Sequence, residues 1–146
     1  MPGARVSRNS PQIALLKKRI DRKIKTALVE DVGLAVQDIM IRKIKKHVYD
    51  RYTPRRYVRQ RERGGLIDRG NIPVKLKGNL LEVRNIRSDK DRYVAQLVEL
   101  GWGNMDQPFN RPRPFTLHTR NLIKRRRIHV KALAGGLRRQ GVRTLN

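Results

Sequence analysis

Residues 10–49, SPQIALLKKRIDRKIKTALVEDVGLAVQDIMIRKIKKHVY, decide the fold class. Ser10 is a favoured helix N-cap, because its hydroxyl can accept from a free N–H of the first turn. Pro11 suits the first helical position, where its fixed φ is already correct. From Gln12 to Tyr49 there is no proline, and Gly33 is the only glycine. Apolar residues fall at Ile13, Leu16, Ile20, Ile24, Ala27, Leu28, Val32, Ala35, Val36 and Ile39. Steps of three and four place them on one helical face. Lys18, Arg22, Lys25, Lys43 and Lys46 occupy the other. The spacing predicts an amphipathic helix over 11–49, about 57 Å long if unbroken. That is long for a small domain. Either the helix breaks near Gly33 into two ordinary amphipathic helices, or it continues and packs along other subunits.

Outward from this helix the pattern becomes irregular. Residues 50–71 form an Arg/Tyr-rich loop: Tyr49, Tyr52 and Tyr57 surround Thr53-Pro54, and Arg55, Arg56, Arg59, Arg61 and Arg63 follow. The tyrosines read as pins that hold the loop to the core. Gly64-Gly65 and Gly70-Asn71 supply turns. A β-hairpin is expected near 74–84, where Val74 and Leu76 alternate with lysines, Gly78-Asn79 turns the chain, and Leu81 and Val83 alternate with polar residues. Asp89-Lys90-Asp91 makes a further turn. Tyr93 to Leu100 fits a strand or a short helix, and Gly101-Trp102-Gly103 ends it. Pro108, Pro112 and Pro114 make 104–114 a loop. A C-terminal helix is expected near 121–133, with Leu122, Ile128, Ala132 and Leu133 facing inward and Gly135-Gly136 as its stop. The fold class is α+β: a long N-terminal amphipathic helix, a small antiparallel sheet and a C-terminal helix. The expected plan is a single domain over 1–146. It comprises a flexible basic lead-in (1–10), helix (11–49), Arg/Tyr-rich loop (50–71), hairpin and loop region (72–115), and helix with basic tail (116–146).

Charge constrains function most. Lys plus Arg number 36 against 12 Asp plus Glu, a formal charge of +24 on 146 residues. Such a surplus repels itself when the chain is compact, so a polyanion is the expected partner. The runs Lys17-Lys18-Arg19, Arg42-Lys43, Lys45-Lys46, Arg55-Arg56 and Arg125-Arg126-Arg127 are interleaved with regularly spaced apolar residues, which indicates a folded protein with basic faces. Candidate phosphate contacts are Arg55, Arg56, Arg59, Arg61, Arg63, Arg125, Arg126 and Arg127. Contact of this kind carries no sequence information, so the charge by itself points to a nucleic acid, DNA or RNA, bound without sequence readout. The plainer reading is that these arginines form solvated faces or pair with acidic residues of another subunit.

Catalysis finds no support. His47, His118 and His129 are scattered in sequence, and no carboxylate near His118 and His129 would complete a metal site. There is no cysteine, which removes disulfides and thiolate sites. Gly64-Gly65 and Gly101-Trp102-Gly103 match neither a phosphate loop nor a dinucleotide fingerprint. No enzyme, cofactor or metal is expected. No apolar run approaches the roughly 18 residues of a membrane span, the N-terminus has no signal-peptide core, and no membrane partner is expected. Zinc-finger, RNP and basic-zipper signatures do not occur.

One segment resembles a known family. Tyr93-Val94-Ala95-Gln96-Leu97-Val98-Glu99-Leu100-Gly101, a variable loop and Arg113-Pro114-Phe115 are similar to a pattern in the tail-completion or head–tail joining proteins of long-tailed bacteriophages. There an aromatic-Ala…Val-Glu-x-Gly element and an Arg-Pro-Phe element lead into a C-terminal helix, after an amphipathic helix and a hairpin in the same order. Here Thr116-Leu117-His118 follows Phe115 in place of that family's Pro-Ala. The resemblance implies a sheet covered by helices. It also implies a homo-oligomeric ring at the head–tail junction or tail end, bound to connector, portal, tail or capsid proteins around the path of double-stranded DNA, which the basic faces would contact non-specifically. The expected location is the virion, with the host cytoplasm during assembly. The alternatives are a DNA-contacting minor protein of the capsid interior and a ribosomal-type RNA-binding protein.

Overall fold

The structure, a computed structural model, describes residues 10–54, 58–103 and 110–145. A single helix runs unbroken over residues 11–49. It begins as α1 (Pro11–Ala27), widens into a π-helical turn at Leu28–Gly33, resumes as α2 (Leu34–Ile44) and ends in a second π-helical turn, Lys45–Tyr49. The Ser10 hydroxyl accepts from the Ile13 N–H at 3.3 Å, as an N-cap does. Gly33 has ordinary helical angles, φ −60° and ψ −48°. The reading of two separate helices is therefore corrected: the chain passes straight through the glycine.

Much of the packing surface for this long helix is internal. α4 (Phe115–Arg126) and α5 (Ile128–Arg139) run back along it. The direction follows from successive contacts: His118 stacks on His47, Gly136 lies against Ala27 and Asp31, and Gln140 meets Lys23. The last is a reciprocal pair, with the Lys23 ammonium donating to the Gln140 carbonyl at 2.6 Å and the Gln140 amide donating to the Lys23 carbonyl at 3.0 Å.

The C-terminal helix differs from the expected 121–133 segment. It starts at Phe115, bends at Arg127 and runs on through Gly135-Gly136 to Arg139. Arg127 takes left-handed angles, φ 50° and ψ 38°, yet its N–H still bonds the carbonyls of Ile123 and Lys124, so the helix is bent and not ended. Gly135-Gly136 is no stop, because tertiary contact overrides glycine's poor helix propensity. A Cβ on Gly136 would overlap the Asp31 carboxylate and sit 2.9 Å from Ala27 Cβ. Glycine is required there for α5 to reach the long helix.

The hairpin joins β1 (Val74–Lys77) to β2 (Leu80–Val83), pairing Val74 with Val83 and Leu76 with Leu81. Gly78, at φ +60°, opens a two-residue turn of the kind that matches strand twist. Val74 presses on the other glycine of the long helix: a Cβ on Gly33 would overlap Val74 Cγ1. The ambiguous segment after the hairpin is a helix, α3 (Val94–Leu100), which buries Ala95 and Val98 at helical spacing. Its expected terminator holds: Gly101, at φ +77°, ends it. The core forms where these parts meet. Met40, Ile44 and Val48, four residues apart on one face, pack with Leu66, Ile67, Ile72, Ala95, Val98 and Phe115. Of the expected 104–114 loop, 104–109 lie outside the described residues; the rest is irregular up to Phe115.

The two neighbouring glycines of α5 separate cleanly by experiment. Gly136→Ala forces overlap into a packed crossing and is expected to destabilise the protein by about 1–3 kcal/mol. At Gly135 the nearest atom to an added Cβ is Arg139 Nη1 at 3.9 Å, so Gly135→Ala is expected to stabilise by about 0.5–1 kcal/mol through helix propensity. Urea unfolding of both variants checks this. Equal effects at the two positions would contradict the crossing.

Candidate nucleic-acid interface

The carboxylates come first, because they decide how much positive charge is left over. Asp31 pairs with Arg139 and Asp38 with Arg69. Asp21 pairs with Lys25 at 2.8 Å, and Glu82 with Arg84 at 3.1 Å. Asp68 accepts from the N–H groups of Gly64 at 2.6 Å and Gly70 at 2.8 Å, and these two bonds hold its carboxyl below the ordinary value. Glu99 caps α4, accepting from Thr116 at 3.0 Å and Leu117 at 3.3 Å. These acids tie the chain to itself, and the basic surplus is left facing solvent.

The predicted arginines divide into two groups. Arg59 turns inward. Its Nη1 donates to the Tyr49 carbonyl at 3.0 Å, and its guanidinium lies 5.0 Å from the Tyr49 ring and 5.4 Å from the Tyr52 ring. It therefore satisfies a carbonyl left open at the end of the long helix and adds a cation–π contact, worth about 0.5–1 kcal/mol when exposed. Tyr49 behaves as the expected pin: its hydroxyl donates to the Gln60 carbonyl at 3.2 Å, and burial raises its phenol pKa. Arg61 lies 5.9 Å from the same ring. Arg61 and Arg63 are exposed. Arg55 and Arg56, with Tyr57, lie outside the described residues.

Arg125, Arg126 and Arg127 are exposed at the bend between α4 and α5. Lys124, Arg125 and Arg126 fill the last turn of α4, where positive charge meets the negative end of the helix. Arg125 lies ten residues, roughly 15 Å, along α4 from Phe115 in the core. The structure thus sets the two arginine groups on different elements, the loop after the long helix and the α4–α5 bend.

Three features escaped the sequence reading. His47 and His118 are not scattered: their rings stack at 3.9 Å between centroids with 13° between planes, while His129 is exposed on α5. Glu99 is the cap of α4, and the motif around it is a clasp. The Arg113 N–H donates to the Val98 carbonyl at 2.9 Å, and the Trp102 N–H to the Asn110 carbonyl at 3.0 Å, so α3 is tied to the start of α4. Third, a cleft of about 930 Å³ opens beside α3, with Arg87, Arg92 and Arg113 joining Arg59 along it. Arg87, Arg92 and Arg113 have no basic residue at an adjacent position, so no charge run marks them.

Fold and surface together define a class: a small, strongly basic α+β protein in which most of the described acids serve internal joints and the arginines at the α4–α5 bend face outward. The YomN family model matches residues 12–139, from α1 to the end of α5, and the chain belongs to the YomN family. YomN is a phage-derived protein name, and the chain is a phage-associated protein. No curated protein and no solved structure matches it.

The stacked histidines give a pH signature. His47 is held below its ordinary value of 6.5, first by burial, then by the positive charges of His118, Lys43, Lys46 and Arg51. The unfolded chain takes up this proton near 6.5 and the folded chain only at lower pH. Stability is therefore fully present above 6.5 and falls as pH drops from 6.5 towards the folded-state value. Thermal melting should show this decline ahead of carboxylate titration, and His47→Gln should flatten it. An unchanged profile in the variant would contradict the assignment.

Proposed function

We propose that this protein is a non-enzymatic structural component of the phage particle, placed at the head–tail junction or tail end. There it assembles as a homo-oligomeric ring with connector, portal, tail or capsid proteins. Its basic surfaces contact double-stranded DNA through phosphates, without sequence preference. It resides in the virion after assembly in the host cytoplasm. The observation that carries this reading is the fate of the acids: Asp31, Asp38, Asp68 and Glu99 are each bonded within the chain, while Arg61, Arg63 and Arg125–Arg127 are exposed.

Two further observations support it. The chain belongs to a family with a phage-derived name, which favours phage DNA over ribosomal RNA as the polyanion. The first turns of the long helix leave large apolar side chains in water: Leu15, Leu16 and Ile20 are 62%, 57% and 41% exposed. A row of large apolar side chains in water is what a subunit offers to an assembly.

Binding to duplex DNA is expected to weaken steeply with salt, with a log–log slope of about −0.9 per phosphate neutralised. Duplexes of different sequence should bind alike. Replacing Arg125 and Arg126 by glutamate should reduce the slope by about two. Fluorescence anisotropy across a salt series measures both. A salt-insensitive or sequence-selective interaction would overturn the reading.

A further inference from the structure

The cleft beside α3 has a chemistry that phosphate contact does not explain. Its rim is cationic. Arg59, Arg87, Arg92 and Arg113 reach it from the Arg/Tyr-rich loop, the segment after β2, and the segments preceding α3 and α4. Arg87 is held in place, its guanidinium donating to Gln60 Oε1 at 2.9 Å and to the Ser88 carbonyl. Arg59 is held by the Tyr49 carbonyl. Among the described residues, Arg59, Arg87 and Arg92 have no carboxylate within ion-pair distance. Each guanidinium has five N–H donors, so donors remain for a ligand. Among the described residues lining the cleft Asp89 is the one acid, and it sits in a turn closed by paired backbone bonds with Arg92 at 2.9 Å.

The floor, by contrast, is aliphatic: Val48, Leu66, Val94, Leu97 and Val98. Among the described residues, the two aromatic rings lining the cleft each already carry a guanidinium. A guanidinium lies 5.0 Å from the Tyr49 ring, and that of Arg113 lies 5.8 Å from the Trp102 ring. Single-stranded nucleic acid needs open aromatic platforms for its bases, so this cleft suits it poorly. Aliphatic side chains bearing nearby carboxylates fit both surfaces, with apolar burial below and charge-assisted hydrogen bonds above. A second copy of this chain is a poorer occupant, because most of its described acids are bonded within its own fold.

We infer that this cleft receives an acidic, aliphatic segment of a different polypeptide. The inference does not rest on DNA contact. It gives the protein two anionic partners at two places, DNA on the exposed arginine runs and a peptide beside α3.

Trp102 is the only tryptophan of the chain and lines the cleft, so its emission reports occupancy. The full chain is titrated with a short synthetic peptide alternating glutamate and leucine, with oligoglutamate of equal charge, and with oligothymidylate. The mixed peptide should bind most tightly and shift the emission. Arg87→Glu with Arg92→Glu should weaken it by about tenfold or more and leave the salt slope for duplex DNA unchanged. Arg125→Glu with Arg126→Glu should do the reverse. If circular dichroism shows that the first pair does not fold, Arg92→Ala at that exposed position replaces it, with a smaller loss in the same direction. Three results would each overturn the inference: equal loss of peptide binding in both pairs, oligoglutamate binding as tightly as the mixed peptide, or oligothymidylate displacing the peptide from the cleft.

Discussion

The close crossing at the middle of the long helix is the constraint on which the rest of the structure depends. Gly33 admits Val74 of the hairpin, and Gly136 of α5 admits Ala27 and Asp31. Both contacts involve residues in or beside the π-helical turn Leu28–Gly33. An extra residue per turn swings side chains away from regular positions, and such turns interrupt α-helices where packing demands it. Hairpin, long helix and C-terminal helix are thereby held close without a large core at that level. The apolar core lies further along, where Met40, Ile44 and Val48 meet α3 and Phe115.

Most of this was readable where local chemistry and periodicity agree. Ser10-Pro11, a long period of three and four, and the absence of proline announce helix over 11–49, though not whether it passes unbroken through Gly33. Gly78-Asn79 between alternating runs announces the hairpin. The failures share a cause, which is contact between residues remote in sequence. Gly135-Gly136 reads as a stop because only the opposing Asp31 and Ala27 reveal why glycine is there. Tyr93 to Leu100 reads as strand or helix because one short apolar run fits either. α4 starts earlier than the local sequence indicates, since its cap comes from Glu99, seventeen positions before Thr116 in sequence.

The candidate site was less readable than the fold. Charge runs point to Arg125–Arg127, which are exposed, and to Arg59, which instead closes the end of the long helix. Composition cannot tell a phosphate ligand from a helix cap, since both are arginine in an Arg/Tyr-rich loop. Arg87, Arg92 and Arg113 carry no such signal, because none has a basic residue next to it, and only folding gathers them with Arg59. The Val-Glu-x-Gly and Arg-Pro-Phe elements turn out to be architecture, a clasp between α3 and α4, which is why that pattern speaks to fold.

Electrostatics then links fold to function. A chain with few acids has committed many of them to joints, so its formal surplus of +24 is left for partners. Self-repulsion on that scale favours association with a polyanion and makes such association salt-dependent. The most direct measurement is electron cryo-microscopy of the assembled particle at side-chain resolution. The account predicts nucleic-acid density alongside Arg125 and Arg126, at phosphate distance from their guanidiniums. Those same side chains buried against carboxylates of adjoining polypeptides, with no nucleic acid near, would contradict it.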